Sequence, residues 1–103
     1  IPLCTRFKGK DNNILLSPLK HNYNAGIDFG TWKSESSSFN MNKRISYMLM
    51  NKYQGRPHWG KVHFLNHTWM KNLYGQDYHL FMKIRNIMDP HNIFKNEYIS
   101  RIM

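Results

Sequence analysis

The sequence predicts an α+β fold, in which a fragment of antiparallel sheet packs with three to four helices. Short β-rich segments, bounded by Asn, Asp, Gly and Pro, occupy roughly the first third of the chain. After residue 41 the apolar side chains recur at helical spacing instead. With 103 residues, 41% of them hydrophobic, the chain is long enough to bury one small core.

Three segments have the composition of strands. Residues 3–8 and 14–19 are separated by the turn-forming run at 10–13, so we expect these two segments to pair as a hairpin. Residues 25–32 alternate apolar and polar side chains and predict a third strand, with a bulge or a close backbone approach at Gly30.

Four helical segments are predicted after the strands. The first spans residues 41–53, with Asn40 as its N-cap and the Gly-Arg-Pro run at 55–57 as its stop. The others are a short helix to residue 73 capped by Asn66 or Thr68, a helix from residue 76 to Pro90, and a last helix from residue 95 or 96.

Charge and cysteine content limit the possible functions. Fifteen Lys and Arg against six Asp and Glu give a net charge of +9, which favours anionic partners. The single cysteine, Cys4, excludes an internal disulfide and a cysteine-rich zinc site. His58, His63 and His67 lack a neighbouring acidic or thiol ligand, so no metal site is predicted. The sequence contains neither a phosphate-binding loop nor a Ser-centred nucleophile elbow.

Basic and aromatic residues alternate in one segment, at Lys52, Tyr53, Arg56, His58, Trp59 and Lys61. Such a segment could stack single-stranded nucleic acid bases. No RNA-module or helix-turn-helix signature accompanies it, so no specific nucleic acid is expected and a solvated basic surface is the simpler interpretation. A standalone binding module for RNA or another polyanion stays as an alternative function.

Residues 56–61 read as a rigid turn. Pro57 restricts φ, and Gly60 permits a close or left-handed backbone. Trp59 supplies a flat wall beside Lys61, so the Lys61 ammonium would lie in a partly dry site, where it can hold developing negative charge. A Trp-anchored surface turn without a chemical role is the alternative interpretation.

Two motifs, in order, carry a family resemblance. RPHWGKVH at residues 56–63 and DPHNIFKNEYI at 89–99 resemble the carboxy-terminal end of the sugar-1,4-lactone oxidases, among them L-gulonolactone, D-arabinono-1,4-lactone and alditol oxidases, within the vanillyl-alcohol-oxidase flavoproteins. TRFKGKDNNILLSP at 5–18 extends the resemblance to essentially the whole chain. It implies a segment whose residues 1–53 supply substrate-domain strands and a helix and whose residues 54–103 supply the HWGK turn and returning helices.

The resemblance implies an FAD-dependent oxidoreductase that oxidises the carbinol of a sugar-1,4-lactone or polyol by hydride transfer to the flavin. Oxygen or another electron acceptor would then reoxidise the flavin. It further implies that a flavin-binding domain outside this sequence holds most of the FAD, so that the 103 residues alone are inactive. An intracellular location, with membrane association, follows from the same resemblance.

The site residues implied by the resemblance fall into three groups. Lys61 and Arg6 match catalytic positions, with Lys61 beside the substrate oxygen and the flavin ring. Thr31, after a one-residue slip of the strand, and Cys4 match substrate-binding positions. The positions that line or brace the flavin are matched by His58, Trp59 and Asn96.

Two departures from the family pattern concern individual residues. Where the family has Glu-x-Arg this chain has Cys4-Thr5-Arg6, so Arg6 lacks an acidic companion unless another segment supplies one. Cys4 could equally be a small buried hydrophobe in a degenerate, non-catalytic relative. Asn92 replaces the Gly of an Asp-Pro-x-Gly turn, and Asn is the next-best residue for left-handed geometry.

Overall fold

A computed structural model of the chain describes residues 3–20, 23–30 and 36–103, which form two compact units, Ile1–Phe64 and Leu65–Met103. The first unit contains strands β1 (Leu3–Lys8) and β2 (Asn24–Phe29) and helix α1 (Ser36–Tyr53). The second contains helices α2 (His67–Met88) and α3 (Glu97–Ile102). A two-stranded antiparallel sheet and three helices in the described residues confirm the predicted α+β class. The functional division after residue 53 stays a prediction.

The sheet is a two-faced ribbon. Strands β1 and β2 pair so that Cys4 lies opposite Asp28 and Arg6 lies opposite Gly26. Because side chains alternate along a strand, every cross-strand pair places both partners on one face. One face carries Cys4, Arg6, Lys8, Asn24, Gly26 and Asp28; the other carries Leu3, Thr5, Phe7, Ala25, Ile27 and Phe29. All six residues of β1 are exposed, as is Asp28 on β2.

The predicted pairing of residues 3–8 with 14–19 is wrong. Residues 14–19 form turns, in which the Ser17 N–H donates to the Ile14 carbonyl (3.2 Å) and the Ser17 hydroxyl accepts from the Leu19 N–H (3.1 Å). Hydrogen bonds within this segment thus use backbone N–H groups that a strand would donate to its neighbour, and Pro18 has no N–H to donate to a β-ladder. Strand β1 therefore pairs with β2, the predicted third strand, which the structure confirms as far as Phe29.

Helix α1 starts earlier than predicted. It begins at Ser36, so Asn40 lies inside the helix and is not its N-cap. The first helical turn leaves its N–H groups without intrahelical partners, so serines are tolerated at residues 36–38.

The end of α1 at Tyr53 agrees with the prediction. Gln54 adopts a left-handed φ of 54°, and the Gly55 N–H then donates to the Leu49 carbonyl over 2.9 Å. A Cβ at residue 55 would lie 3.1 Å from the Leu49 oxygen, so this turn favours glycine.

Helix α2 consists of two helical segments. Gly75 has φ 53° and ψ −128°, values outside the helical region, so the predicted break between residues 73 and 76 is confirmed. Asn66, rather than Thr68, is the N-cap, because its side chain accepts from the Trp69 N–H at 3.0 Å. None of the helices within the described residues is long and apolar enough to cross a membrane.

The core of the second unit forms where α2 and α3 pack together. The buried apolar side chains there are Leu65, Met70, Leu73, Tyr74, Tyr78 and Ile102. The Tyr78 hydroxyl donates to the main-chain oxygen of Met103 over 3.1 Å, which satisfies its polar end. Asn96 caps α3, as the predicted start of the last helix requires.

Candidate functional site

His58 accepts two hydrogen bonds that close the turn at residues 58–61. The His58 carbonyl accepts from the Lys61 N–H at 3.1 Å, and His58 Nδ1 accepts from the Gly60 N–H at 2.9 Å. A neutral imidazole that accepts at Nδ1 carries its proton on Nε2. His58 therefore shapes the turn through one ring nitrogen and presents an N–H donor at the other.

Gly60 lies close beneath the His58 ring. A Cβ at residue 60 would lie 3.0 Å from His58 Cε1 and 3.3 Å from His58 Nδ1, closer than ordinary contact distances. Among the described glycines Gly75 is the one with positive φ, so Gly60 serves close approach and not a left-handed backbone. Of the two predicted uses of this glycine, the structure confirms the first.

Lys61 does not lie in a partly dry site within the described residues. Lys61 and His58 are both exposed, and Trp59 is half-buried. The turn lies at the surface, where Lys61 is accessible to solvent. The ammonium is nonetheless attached to a backbone whose conformation two hydrogen bonds hold.

The polar face of the ribbon brings a carboxylate to Arg6. Arg6 Nε lies 3.6 Å from Asp28 Oδ2, and both side chains are about two-thirds exposed (66% and 64%). Asp28 thus supplies the acidic companion that the Cys4-Thr5-Arg6 sequence lacks. Cys4 is exposed on the same face, so the interpretation of Cys4 as a small buried hydrophobe is wrong.

Sequence reasoning missed Asp28 because it paired β1 with the wrong segment. Asp28 shares a face with Arg6 only in the register that places Cys4 opposite Asp28. Alternation within residues 25–32 did place Asp28 and Gly30 on the face opposite Ile27 and Phe29. That signal alone could not identify the partner strand.

The remaining predicted site residues have separate positions. Asn96, in the second unit, uses its side-chain oxygen to accept from the Ile99 N–H at 2.8 Å, so its first role is to cap α3. Its side-chain NH₂ group is the part that could contact a ligand. Thr31 lies outside the described residues. The structure brings Cys4 and Arg6 together on one strand and His58, Trp59 and Lys61 together in one turn.

A loop that follows α2 is organised by a carboxylate that the sequence did not single out. Asp89, which is buried, accepts from the N–H groups of Ile93 (2.7 Å) and Phe94 (3.1 Å). Arg85 lies 3.5 Å from Asp89 and donates to the Asn92 side chain at 3.0 Å. Asn92 has φ 56°, which confirms the left-handed geometry expected of it.

The basic and aromatic segment is partly used within its own unit. The Arg56 guanidinium donates to the Ser17 carbonyl over 2.7 Å, and the Lys52 ammonium lies 5.4 Å from the centroid of the Tyr53 ring. The Arg56 guanidinium is therefore used in part to join the 55–57 segment to the turn at Ser17. Across the described part of the chain, no group of three or more His, Cys, Asp or Glu side chains is placed to hold a metal ion.

Comparison with known proteins identifies the family. The family model described as D-arabinono-1,4-lactone oxidase matches residues 1–102. The chain is 30% identical over 110 residues to L-gulono-1,4-lactone dehydrogenase of Mycobacterium tuberculosis, covering 99% of this chain and 23% of that protein. It is 29% identical over 106 residues to L-gulonolactone oxidase of Mus musculus, covering 98% of this chain and 23% of that protein.

A third relative, L-gulonolactone oxidase of Scyliorhinus torazame, is 36% identical over 53 residues, which are 52% of this chain and 12% of that protein. No solved structure matches the chain. The chain thus spans about 23% of the length of the first two relatives. Since the family model extends over nearly every residue, the two motifs that resemble sugar-lactone oxidases lie within one continuous match. The chain belongs to the D-arabinono-1,4-lactone oxidase family.

Proposed function

We propose that the chain is the substrate-side segment of an FAD-dependent oxidoreductase that oxidises a carbinol of a sugar-1,4-lactone or a related polyol. The family match over residues 1–102 is the observation that carries the proposal. The names of the relatives supply the substrate class, and they include both an oxidase and a dehydrogenase. The electron acceptor is accordingly oxygen or another oxidant.

Three side chains are assigned to the ring end of FAD by their chemistry. His58 Nε2–H and the Lys61 ammonium of the first unit, and the Asn96 amide of the second, are each hydrogen-bond donors of the kind that the carbonyl oxygens and ring nitrogens of an isoalloxazine accept. No Gly-rich loop in the sequence suits a pyrophosphate. FAD, when bound, accepts the hydride that leaves the carbinol carbon. In this proposal the rest of the cofactor is held by parts of the protein outside residues 1–103.

Lys61 has the charge that the reaction needs near the substrate oxygen. Oxidation of a carbinol removes a hydride from carbon and a proton from oxygen; when the proton passes to solvent ahead of the hydride, negative charge develops on that oxygen. An ammonium near the oxygen stabilises this charge, and the two hydrogen bonds from residues 60 and 61 to His58 hold the backbone that carries Lys61. In this assignment Trp59 anchors the turn and lines the flavin.

Arg6 has a different role in the proposal. Its guanidinium, on the polar face of the ribbon, donates hydrogen bonds in a planar fork and is always charged. Such a group binds the carbonyl or hydroxyl oxygens of a lactone without taking part in proton transfer. Arg6 is therefore assigned to substrate binding and orientation.

The test uses the full-length, FAD-loaded protein that contains this chain. Lys61→Met is expected to slow anaerobic flavin reduction by a sugar lactone about 10²-fold or more, as measured by stopped-flow absorbance. Arg6→Leu is expected to raise the substrate concentration needed for half-maximal reduction. Lys43→Met, which removes the same charge from an exposed position on α1, is the matched control and should reduce at the wild-type rate.

Two results would contradict the proposal. If Lys61→Met were reduced as fast as the wild type, the turn would be purely structural. If the wild-type protein held FAD and no sugar lactone or polyol reduced it, the chain would belong to a non-catalytic relative.

A further inference from the structure

We propose that Asp28 is a substrate-binding residue, which together with Arg6 recognises adjacent hydroxyl groups of a sugar lactone. This inference rests on the proposed function of Arg6 and adds a residue from the neighbouring strand. It assigns to β2 the carboxylate that the sequence of β1 lacks.

The register of the ribbon places Asp28 within reach of the same ligand as Arg6. Cys4, Arg6 and Asp28 share one face, and the Arg6 Nε lies 3.6 Å from Asp28 Oδ2. Arg6 lies directly opposite Gly26, which has no side chain, so the guanidinium can lean diagonally toward Asp28. A Cβ at residue 26 would make only ordinary contacts, with the Arg6 carbonyl at 3.6 Å and Lys8 Cε at 3.9 Å.

The pair is open to solvent and is not a closed ion pair. A separation of 3.6 Å is beyond hydrogen-bond distance, and about two-thirds of each side chain is exposed. An exposed pair of this kind contributes little to folding, so its conformation imposes no strong cost on binding. A hydroxyl placed between the two groups could donate to the carboxylate and accept from the guanidinium at the same time.

Asp28 has the chemistry for polyol recognition and Cys4 does not. A carboxylate has two oxygens that can accept hydrogen bonds from adjacent hydroxyls, whereas a thiol is a weak donor and a weak acceptor. Cys4 and Asp28 are directly opposite each other, and side chains at such positions lie about 4.5–5.5 Å apart at Cβ. A ligand that reaches one of these positions can therefore reach the other.

The experiment removes the carboxylate from β2 and then restores one on β1, in the full-length, FAD-loaded protein. The dissociation constant of L-gulono-1,4-lactone is taken from the substrate dependence of anaerobic flavin reduction. Asp28→Asn is expected to weaken binding about tenfold or more, because a charge-assisted hydrogen bond is lost. The double variant Cys4→Glu with Asp28→Asn is expected to recover affinity to within about threefold of the wild type, because it restores a carboxylate on the same face.

Asp11→Asn is the matched control, because it removes a carboxylate from a loop of the same unit while its side-chain oxygen can still accept from the Asn13 N–H. It should bind the lactone with wild-type affinity. A lactone that lacks one hydroxyl should bind more weakly to the wild type and show a smaller effect of Asp28→Asn. FAD content of each variant reports folding.

The outcomes separate this inference from the function on which it rests. Wild-type affinity in Asp28→Asn would overturn the role of Asp28 while leaving the proposed function intact. A double variant no better than Asp28→Asn, with normal FAD content, would also overturn it, since a carboxylate on that face would not be what binds. Absence of lactone oxidation by the wild type would instead overturn the proposed function itself.

Discussion

His58 Nδ1 lies 2.9 Å from the Gly60 nitrogen, whose hydrogen it accepts, two residues further along the chain. Asn and Asp side chains close turns in the same way, through an oxygen that accepts from the N–H two residues later. A histidine in this position adds a second ring nitrogen that can donate to a ligand. The turn that carries Lys61 is thus closed by two hydrogen bonds to the residue next to Pro57.

Replacing the acceptor at residue 58 should loosen the turn. His58→Phe is expected to speed amide hydrogen exchange at Gly60 by about two- to tenfold, which corresponds to the loss of one hydrogen bond worth roughly 0.5–1.5 kcal/mol. His58→Asn offers an oxygen near the same place and should keep exchange close to the wild-type rate. Exchange at Gly60 is measured by NMR on the 103-residue chain, and equal rates in both variants would contradict a role for the ring nitrogen.

A methyl group at residue 60 should displace the imidazole. Gly60→Ala places a Cβ 3.0 Å from His58 Cε1, so the ring must move away and its hydrogen bond to the residue 60 N–H weakens. We expect the amide hydrogen of residue 60 to exchange faster in Gly60→Ala than in the wild type. In a His58→Asn background, which has no imidazole ring, Gly60→Ala should raise the exchange rate by less. An identical effect in both backgrounds would show that backbone preference, not the ring, explains the glycine.

The stability of the second unit should fall at alkaline pH through Tyr78. Burial raises the pKa of Tyr78 above its ordinary value of 10.0, because the phenolate is poorly solvated there. The folded chain therefore holds this proton more tightly than the unfolded chain, so the associated stability is complete below about pH 10 and is lost as the pH rises through the folded-state pKa. Deprotonation would also remove the donor to Met103.

Urea unfolding at several pH values checks this expectation. The free energy of unfolding of the wild type should decrease above pH 10 more steeply than that of Tyr78→Phe. The variant should also be less stable by about 0.5–1.5 kcal/mol at neutral pH, because the hydrogen bond from the hydroxyl is lost. Parallel pH curves for the two proteins would show that Tyr78 does not contribute.

Asp89 should contribute more to stability than any surface carboxylate of the chain. Asp89→Ala removes the acceptor for the Ile93 and Phe94 N–H groups and leaves the largely buried Arg85 without its acidic partner. We expect a loss of about 3 kcal/mol in the free energy of unfolding. Asp89→Asn, which retains one acceptor oxygen, should lose less. A loss below about 0.5 kcal/mol for Asp89→Ala in denaturant titrations would contradict the loop's dependence on this residue.

Residues 1–103 alone should not retain FAD. The sequence has no loop suited to the pyrophosphate, which cofactor sites normally hold with preorganised backbone N–H groups. The purified chain is expected to be colourless after incubation with FAD and gel filtration. Stoichiometric flavin absorbance in the protein peak would contradict this expectation.

Much of the fold and of the candidate site could be predicted from the sequence because the signals are local. Apolar periodicity and end residues located the helices apart from the start of α1, and they indicated the break between residues 73 and 76. Asn66 and Asn96, which cap helices in the structure, were each one of two predicted candidates for a helix start. The HWGK motif located a turn whose hydrogen bonds span no more than three residues. Local chemistry of this kind is visible in a short stretch of sequence.

Strand pairing was decided only by the tertiary structure. The segments at 14–19 and 25–32 both had strand composition, and the choice between them as partner of β1 depends on where backbone donors and acceptors are satisfied over long range. That choice placed Asp28 beside Arg6 and supplied a carboxylate that the sequence of β1 lacks. The sequence alone thus determined which residue types are available. The pair of Arg6 and Asp28 exists only in one strand register, because a shift of one residue moves every side chain of a strand to the other face.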